Sequence, residues 1–300
     1  MSNVNWLVDS KVFNNSNESV GLIRAIQDAK HPSNLFLTKH VPFDEENSFI
    51  QAAFKADGPL VVYGTINFVK RVQKEFERYM LLAGSSCRAP LAFGLTPDID
   101  CLNYLTKLPS EYFLNADYAF MPFVRFAENG DWWYTAMHTD TLFIRPNSGG
   151  KVFTGTVIPR REFDSEINAM RQLTGVVNST LVLIAPAQKI VSESRFIIAN
   201  KQVIHGVKYV SNGMNHYDGT ISGDPPHEAR QLADKVAVWP WQVDHCYVCD
   251  VAILENGEAK IVEFNAFCCA GFYTTEYTHI INTINDTALL VAKDELVLER

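Results

Sequence analysis

The segment VDHCYVCDVAILENGEAKIVEFNAF, residues 243–267, constrains the fold more than any other stretch of this chain. It holds two apolar runs joined by Asn256-Gly257, the strongest local signal for a tight β-hairpin. Counting outward from a two-residue loop sets Asp250 directly opposite Glu263, roughly 5 Å apart on one face of the ribbon. Asn265 lies two residues beyond Glu263 and shares that face. Directly opposed like charges destabilise a strand pair, and the flanking residues are too apolar to bring water to them. A cation resolves the conflict. Two carboxylates and a neutral amide oxygen suit magnesium, which completes its shell with water and phosphate oxygens. The competing readings are a one-residue slip in register, or an acid that reaches solvent at a strand end.

Upstream, SESRFIIANKQVIHGVKY (residues 192–209) reads as a second hairpin with Asn200-Lys201 at its turn. A two-residue loop places Glu193 opposite Lys208, with Arg195 diagonal to Lys208 on the same face. The other face carries Ser194, Phe196, Ile198, Val203, His205 and Val207. Basic residues beside a magnesium site are what phosphoryl transfer requires, because the moving phosphate's charge must be neutralised away from water. Taken alone, the pattern equally describes a cross-strand salt bridge. Between Arg145 and Gly155 lies RPNSGGKVFTG, a glycine-rich turn after the strand-like TLFI. Such a turn can bring backbone N–H groups to phosphates, with Lys151 as a point charge, although it lacks P-loop spacing and is also compatible with a simple hairpin.

The first hundred residues alternate strand-like and helix-like stretches: WLVDS, ESVGLIRAIQDAK, LFLTKHV, LVVYG, then TINFVKRVQKEFERYMLLAG, for which Gly84 is the expected stop. That is a small α/β unit, 1–96. Residues 97–139 show no sustained period and read as a connecting region; the remainder, 140–300, follows a strand, loop, strand, helix order, then the two hairpins and a last helix. Ser211 to Pro226 is dense in turn formers and reads as a mobile surface loop, with Asp224 starting a helix. A chain of 300 residues that is 47% hydrophobic can bury a sizeable core. Its net charge of −8, with signs interspersed, supplies no basic stripe, so a nucleic-acid partner is unsupported. The N-terminus lacks a signal-peptide pattern and no apolar run approaches a membrane span, which points to the cytoplasm. Cys246 and Cys249 resemble half a zinc site, but on a strand positions three apart face opposite ways, so buried thiols are expected.

In order, the strand ending at Arg145-Pro146, the glycine-rich loop, the strand LVLIAPAQKI, the Arg195 hairpin and the Asp…Glu-x-Asn hairpin resemble the ATP-grasp superfamily over about residues 140–285. More narrowly, FIRPNSGGKVFTG, SESRFII and VEFNAFCCAGFY look like an ATP-grasp clade found in bacteria and phages. The resemblance implies an α/β (α+β) fold with a nucleotide held between two antiparallel-rich sheets. It implies ATP and magnesium as cofactors. Ala185, Gln188 and Lys189 would lie near the purine, mostly through backbone groups, Arg145 and Lys151 on the phosphates, and Glu193 within the nucleotide site. Arg195 would hold the transferring phosphoryl group, and Asp250, Glu263 and Asn265 the metal. Many relatives carry lysine where Arg145 stands and arginine near Lys208, which leaves Lys208 to serve the acyl phosphate or the substrate. The implied reaction joins a carboxylate to an amine through an acyl phosphate, the partners being an amino acid, peptide or protein. A nucleotide-binding assembly factor and a kinase-like enzyme are the rivals.

Overall fold

The computed structural model of the protein describes residues 3–9, 16–38, 43–83, 91–211, 213–215, 223–296 and 298. Gly84 and, within the turn-rich stretch 211–226, residues 212 and 216–222 lie outside the described residues. The N-terminal unit is built on β1 (Val4–Asp9), buried along its whole length. It is followed by α1 (Ser16–Gln27), β2 (Ser33–Thr38), α2 (Phe43–Lys55), β3 (Leu60–Tyr63), α3 (Ile66–Ala83) and β4 (Leu91–Phe93). The strands form a parallel sheet in the order β2-β1-β3-β4. A parallel strand covered on both faces reads as a near-continuous apolar run, as VNWLVD does.

Between residues 101 and 136 lie α4 (Cys101–Tyr104), β5 (Ala119–Pro122), α5 (Phe123–Glu128) and α6 (Gly130–Ala136). Next come β6 (Thr141–Pro146), β7 (Thr156–Pro159), α7 (Phe163–Leu173) and β8 (Leu181–Pro186). Strand β5, drawn from the stretch without periodicity, is the edge of an antiparallel sheet ordered β5-β8-β6-β7. A second antiparallel sheet contains β9 (Ile190–Ala199), β10 (Gln202–Ser211), β11 (Met214–Asn215), β12 (Cys246–Leu254) and β13 (Ala259–Ala266), in the order β11-β10-β9-β12-β13. Helices α8 (His227–Ala237) and α9 (Thr278–Ala292) cover its two faces. Part of the expected surface loop is thus β11, and α8 begins at His227, three residues after Asp224.

Central strand β12 packs into two different cores. Cys249 and Val251 share one core with α8 residues Ala229 and Leu232, while Cys246 and Val248 share the other with Trp6 and α9 residues Ile281 and Ile284. The two thiols therefore diverge, as expected of a strand. The α9 side also ties the N-terminal sheet to the five-stranded one, and the Trp6 indole N–H donates to Asn285 Oδ1 at 2.9 Å in that core. Among the described residues no helix is long and apolar enough to cross a membrane.

The hairpin registers differ from simple counting. In β12–β13 the Leu254 N–H reaches the Glu258 carbonyl and Gly257 has φ +84°, so the loop is three residues, Glu255 to Gly257. An extra residue in β13, Val262, then restores the count, and Asp250 does face Glu263. In β9–β10 the Asn200-Lys201 turn is as expected, both residues having positive φ. Extra residues Ile204 and Tyr209, however, shift the pairing twice. Lys208 pairs with Ser194, and Glu193 with Val210.

Candidate active site

Asp250 is the single charged side chain within β12 and is 1% exposed. Such a carboxylate needs a partner of opposite charge. Strand pairing places Arg195 beside it. The guanidinium grips both carboxylate oxygens, Nε to Oδ1 at 2.9 Å and Nη2 to Oδ2 at 2.8 Å, a fork matched to a fork. Its remaining nitrogen donates to the Gly271 carbonyl at 3.2 Å. The rings of Tyr209 and Tyr273 lie over it at 5.3 and 4.6 Å. Burial disfavours the charged guanidinium, but the Asp250 carboxylate outweighs burial and holds its pKa well above the ordinary arginine range.

Glu263 is neutralised separately. It accepts from Arg145 Nη2 at 2.6 Å and from Lys151 Nζ at 2.9 Å. Arg145 comes from the end of β6 and Lys151 from the glycine-rich loop, where it adopts φ +47°. Arg145 Nη1 also reaches the carbonyl of the bulged residue Val262 at 3.3 Å, an acceptor the irregular ladder makes accessible. The Asn265 amide joins the two pairs, its Nδ2 lying 3.0 Å from Asp250 Oδ2 and 2.9 Å from Glu263 Oε1. The cations that relieve the facing carboxylates are therefore the chain's own arginines and lysine. The opposed charges alone do not demand a metal ion.

Burial pushes the Glu263 carboxyl up, yet Arg145 and Lys151 overcome it and hold the group far below the usual carboxylate range. A carboxylate depressed in the folded state stabilises the fold above its unfolded pKa, about 4.3, and that contribution is lost as pH falls through the folded value. Glu263→Gln is thus expected to be less stable than the parent at pH 7, with the gap narrowing below about pH 4. Urea unfolding at about pH 7 and about pH 3.5 measures it; a gap independent of pH contradicts the ion-pair account. Burial likewise raises the Glu193 carboxyl, and the nearby Asp250 and Glu263 charges add to that, against the hydrogen bond from Tyr209 Oη at 2.7 Å.

These groups lie at one side of a cleft of about 440 Å³ between the two antiparallel sheets. Arg145, Lys151, Gln188, Glu193 and Glu263 line it, with Phe143, Phe153, Ile190 and Tyr209 among its apolar and aromatic walls. Residues 187–189 cross from β8 in one sheet to β9 in the other. Of the three residues expected near the purine, Gln188 lines the cleft. The Ala185 side chain is fully buried in the core, and Lys189 is 82% exposed and pairs with Glu255. Two N–H groups of the glycine-rich loop are taken up within the chain, Gly149 by Asp100 Oδ1 and Gly150 by Ser148 Oγ.

Lys208 is a correction. Paired with Ser194, it stands on the face opposite Arg195, with its chain against Gly223. The Ile204 bulge that moves Lys208 away leaves Tyr209 on the side of Glu193 and Arg195, so tyrosine takes the place counting assigns to lysine. His205 and Val207 change face with the Ile204 bulge. The available signal is Gly206, since a glycine within a strand often marks a bulge or a close approach, and a Cβ there would press on the Phe196 ring at 2.8 Å. No comparable signal marks Tyr273.

A nucleotide-sized cleft between two antiparallel sheets, with a cation and carboxylate cluster at its side, defines an ATP-grasp architecture. The profile of the ATP-grasp domain, R-two-K clade family 2, matches residues 125–282, more than half of the chain, and the chain belongs to that family. No curated protein matches it in sequence. Among solved structures, D-cycloserine synthetase DcsG is similar with a TM-score of 0.65 at 12% identity, over 97% of this chain and 99% of that one. D-alanine–D-alanine ligase from Bacillus anthracis gives 0.60 at 13%, over 99% and 100%. ATP-grasp ligase PsnB, complexed with minimal precursor, Mg and ADP, gives 0.56 at 11%, over 96% of each chain. At these identities the likeness is one of fold.

Proposed function

We propose that this protein is an ATP- and magnesium-dependent ligase that joins a carboxylate to an amine through an acyl phosphate. The observation that carries the reading is the convergence of Arg145, Lys151 and Arg195 with Asp250, Glu263 and Asn265 beside the cleft between the sheets. The similar structures support it too, since one is named a D-alanine–D-alanine ligase and another a D-cycloserine synthetase. PsnB was captured with Mg and ADP.

The donor set fits magnesium: two carboxylates and an amide that a half-turn converts from nitrogen to oxygen donor. Asp250, Glu263 and Asn265 would hold the ion, which would neutralise phosphate charge. Gln188 and the 187–189 crossing flank the purine end. Arg145 and Lys151 exchange Glu263 for phosphate oxygens. A substrate carboxylate oxygen bonds to the γ-phosphorus as the bond to the bridging oxygen breaks, and ADP departs. Arg195 offsets the charge on the transferring phosphoryl group. The amine then adds to the acyl carbonyl, phosphate leaves and the amine loses a proton. A carboxylate is already a competent nucleophile, so positioning and charge neutralisation suffice for the first step. Residues 1–96 and 97–139 would shape the substrate side, and 140–300 the nucleotide side.

Purified protein with ATP, magnesium and pooled amino acids or peptides is expected to release ADP and phosphate and form an amide detectable by mass. ATP binding without ADP under any pool supports an assembly factor instead. A phosphorylated product without an amide supports a kinase-like enzyme.

A further inference from the structure

Adjacent cysteines close the loop that follows Asn265. Cys268 and Cys269 stand at the end of a short 3₁₀ turn, Phe267–Cys269, with their sulfurs 3.8 Å apart. Cys268 is fully buried, whereas Cys269 is half-buried and lines a small cleft of about 70 Å³ with Asn265, Lys151 and Gly149. An accessible thiol beside a buried second one is the arrangement in which the first reacts and the second resolves the product.

We propose that Cys268 and Cys269 form an oxidisable dithiol whose closure weakens nucleotide binding; the second half rests on the ATP reading above. In the forward step Cys269 sulfur attacks one sulfur of a small-molecule disulfide, and the first thiol leaves. Cys268 sulfur then attacks Cys269, releasing the second thiol. Two protein thiols are oxidised by two electrons, the disulfide is reduced, and both protons end on the released thiols.

Closure reaches the site through the backbone. To bond, the two sulfurs must approach, and residues next to each other on one turn accomplish this by rotating the peptide that joins them. That segment is held at several points. The Cys268 carbonyl accepts the Gly64 N–H at 2.9 Å, the Ala270 carbonyl accepts Tyr63 Oη at 2.9 Å, and the Gly271 carbonyl accepts Arg195 Nη1 at 3.2 Å. Rotation disturbs the support of Arg195 on one side and the position of Asn265 on the other.

The full chain is treated with oxidised glutathione, free thiols are capped with N-ethylmaleimide, and the peptide spanning 268–269 is weighed. It is expected to be two hydrogens lighter and uncapped, and magnesium–ATP binding by calorimetry is expected to weaken roughly tenfold, within the usual range of coupling between sites. Dithiothreitol should restore both values. Cys269→Ser should keep its ATP affinity through the same treatment. Two capped thiols, a bridge to another cysteine, or closure with unchanged affinity overturns the proposal. The mass is read without nucleotide, so reduced protein that fails to bind ATP indicts the ATP reading, and not the dithiol.

Discussion

Asp250→Asn is expected to lower the unfolding free energy by about 3–5 kcal/mol, because it leaves the buried Arg195 guanidinium without the carboxylate that grips it. Arg195 and Asp250 side chains are 8% and 1% exposed, so water cannot replace the lost partner. The flanking Tyr209 and Tyr273 rings and the Gly271 carbonyl offset only part of the cost. The double variant Arg195→Met/Asp250→Leu should recover most of the stability, since replacing a buried pair with apolar side chains of similar volume is often neutral. Both proteins should lose ADP formation under the ligase reading, one while unstable and the other while stable. Urea unfolding with parallel turnover assays separates the two effects. Equal stability of single and double variants would mean that burying Arg195 without the Asp250 carboxylate costs little.

Much of this architecture is written in local pattern. Three of the four N-terminal strands and two of its three helices follow apolar period, and the β9–β10 hairpin follows its Asn200-Lys201 turn. The facing of Asp250 and Glu263 is legible too, but through two errors that cancel. The loop is one residue longer than Asn-Gly suggests, and Val262 adds one residue back. In the other hairpin nothing cancels, and counting puts Lys208 on the wrong face. Bulges answer to tertiary demands, here an arginine reaching the Val262 carbonyl and a tyrosine turned toward Glu193. Those demands come from strands far away in sequence, so counting cannot see them. The same limit hides β5, since its partner β8 lies some sixty residues downstream. It also explains why opposed carboxylates suggest a metal when Arg145 and Lys151, over a hundred residues upstream, neutralise one of them.

That competition between internal cations and an incoming ligand makes Glu263→Gln informative. In the resting site Arg145 and Lys151 are both committed to Glu263, at 2.6 and 2.9 Å. Phosphate groups entering the cleft must compete with that carboxylate for the same two side chains. Removing its charge while keeping its shape frees both cations and makes the site more positive by one unit. A unit charge about 4 Å away contributes on the order of 1 kcal/mol in a water-like dielectric and about 4 kcal/mol at one near 20, and a cleft open to solvent lies toward the lower value. Magnesium-free ATP should therefore bind about tenfold more tightly to Glu263→Gln than to the parent. Under the ligase reading the same change removes an anionic metal donor and should reduce magnesium-dependent ADP formation by about 10²–10³-fold, the scale of losing one preorganised electrostatic contact. Titrating ATP in chelator and measuring turnover in magnesium gives the two numbers, with folding checked by the unfolding curve. The signs must oppose. If affinity in chelator and turnover in magnesium fall together, Glu263 supports only the shape of the cleft, and the exchange of carboxylate for phosphate on Arg145 and Lys151 does not occur.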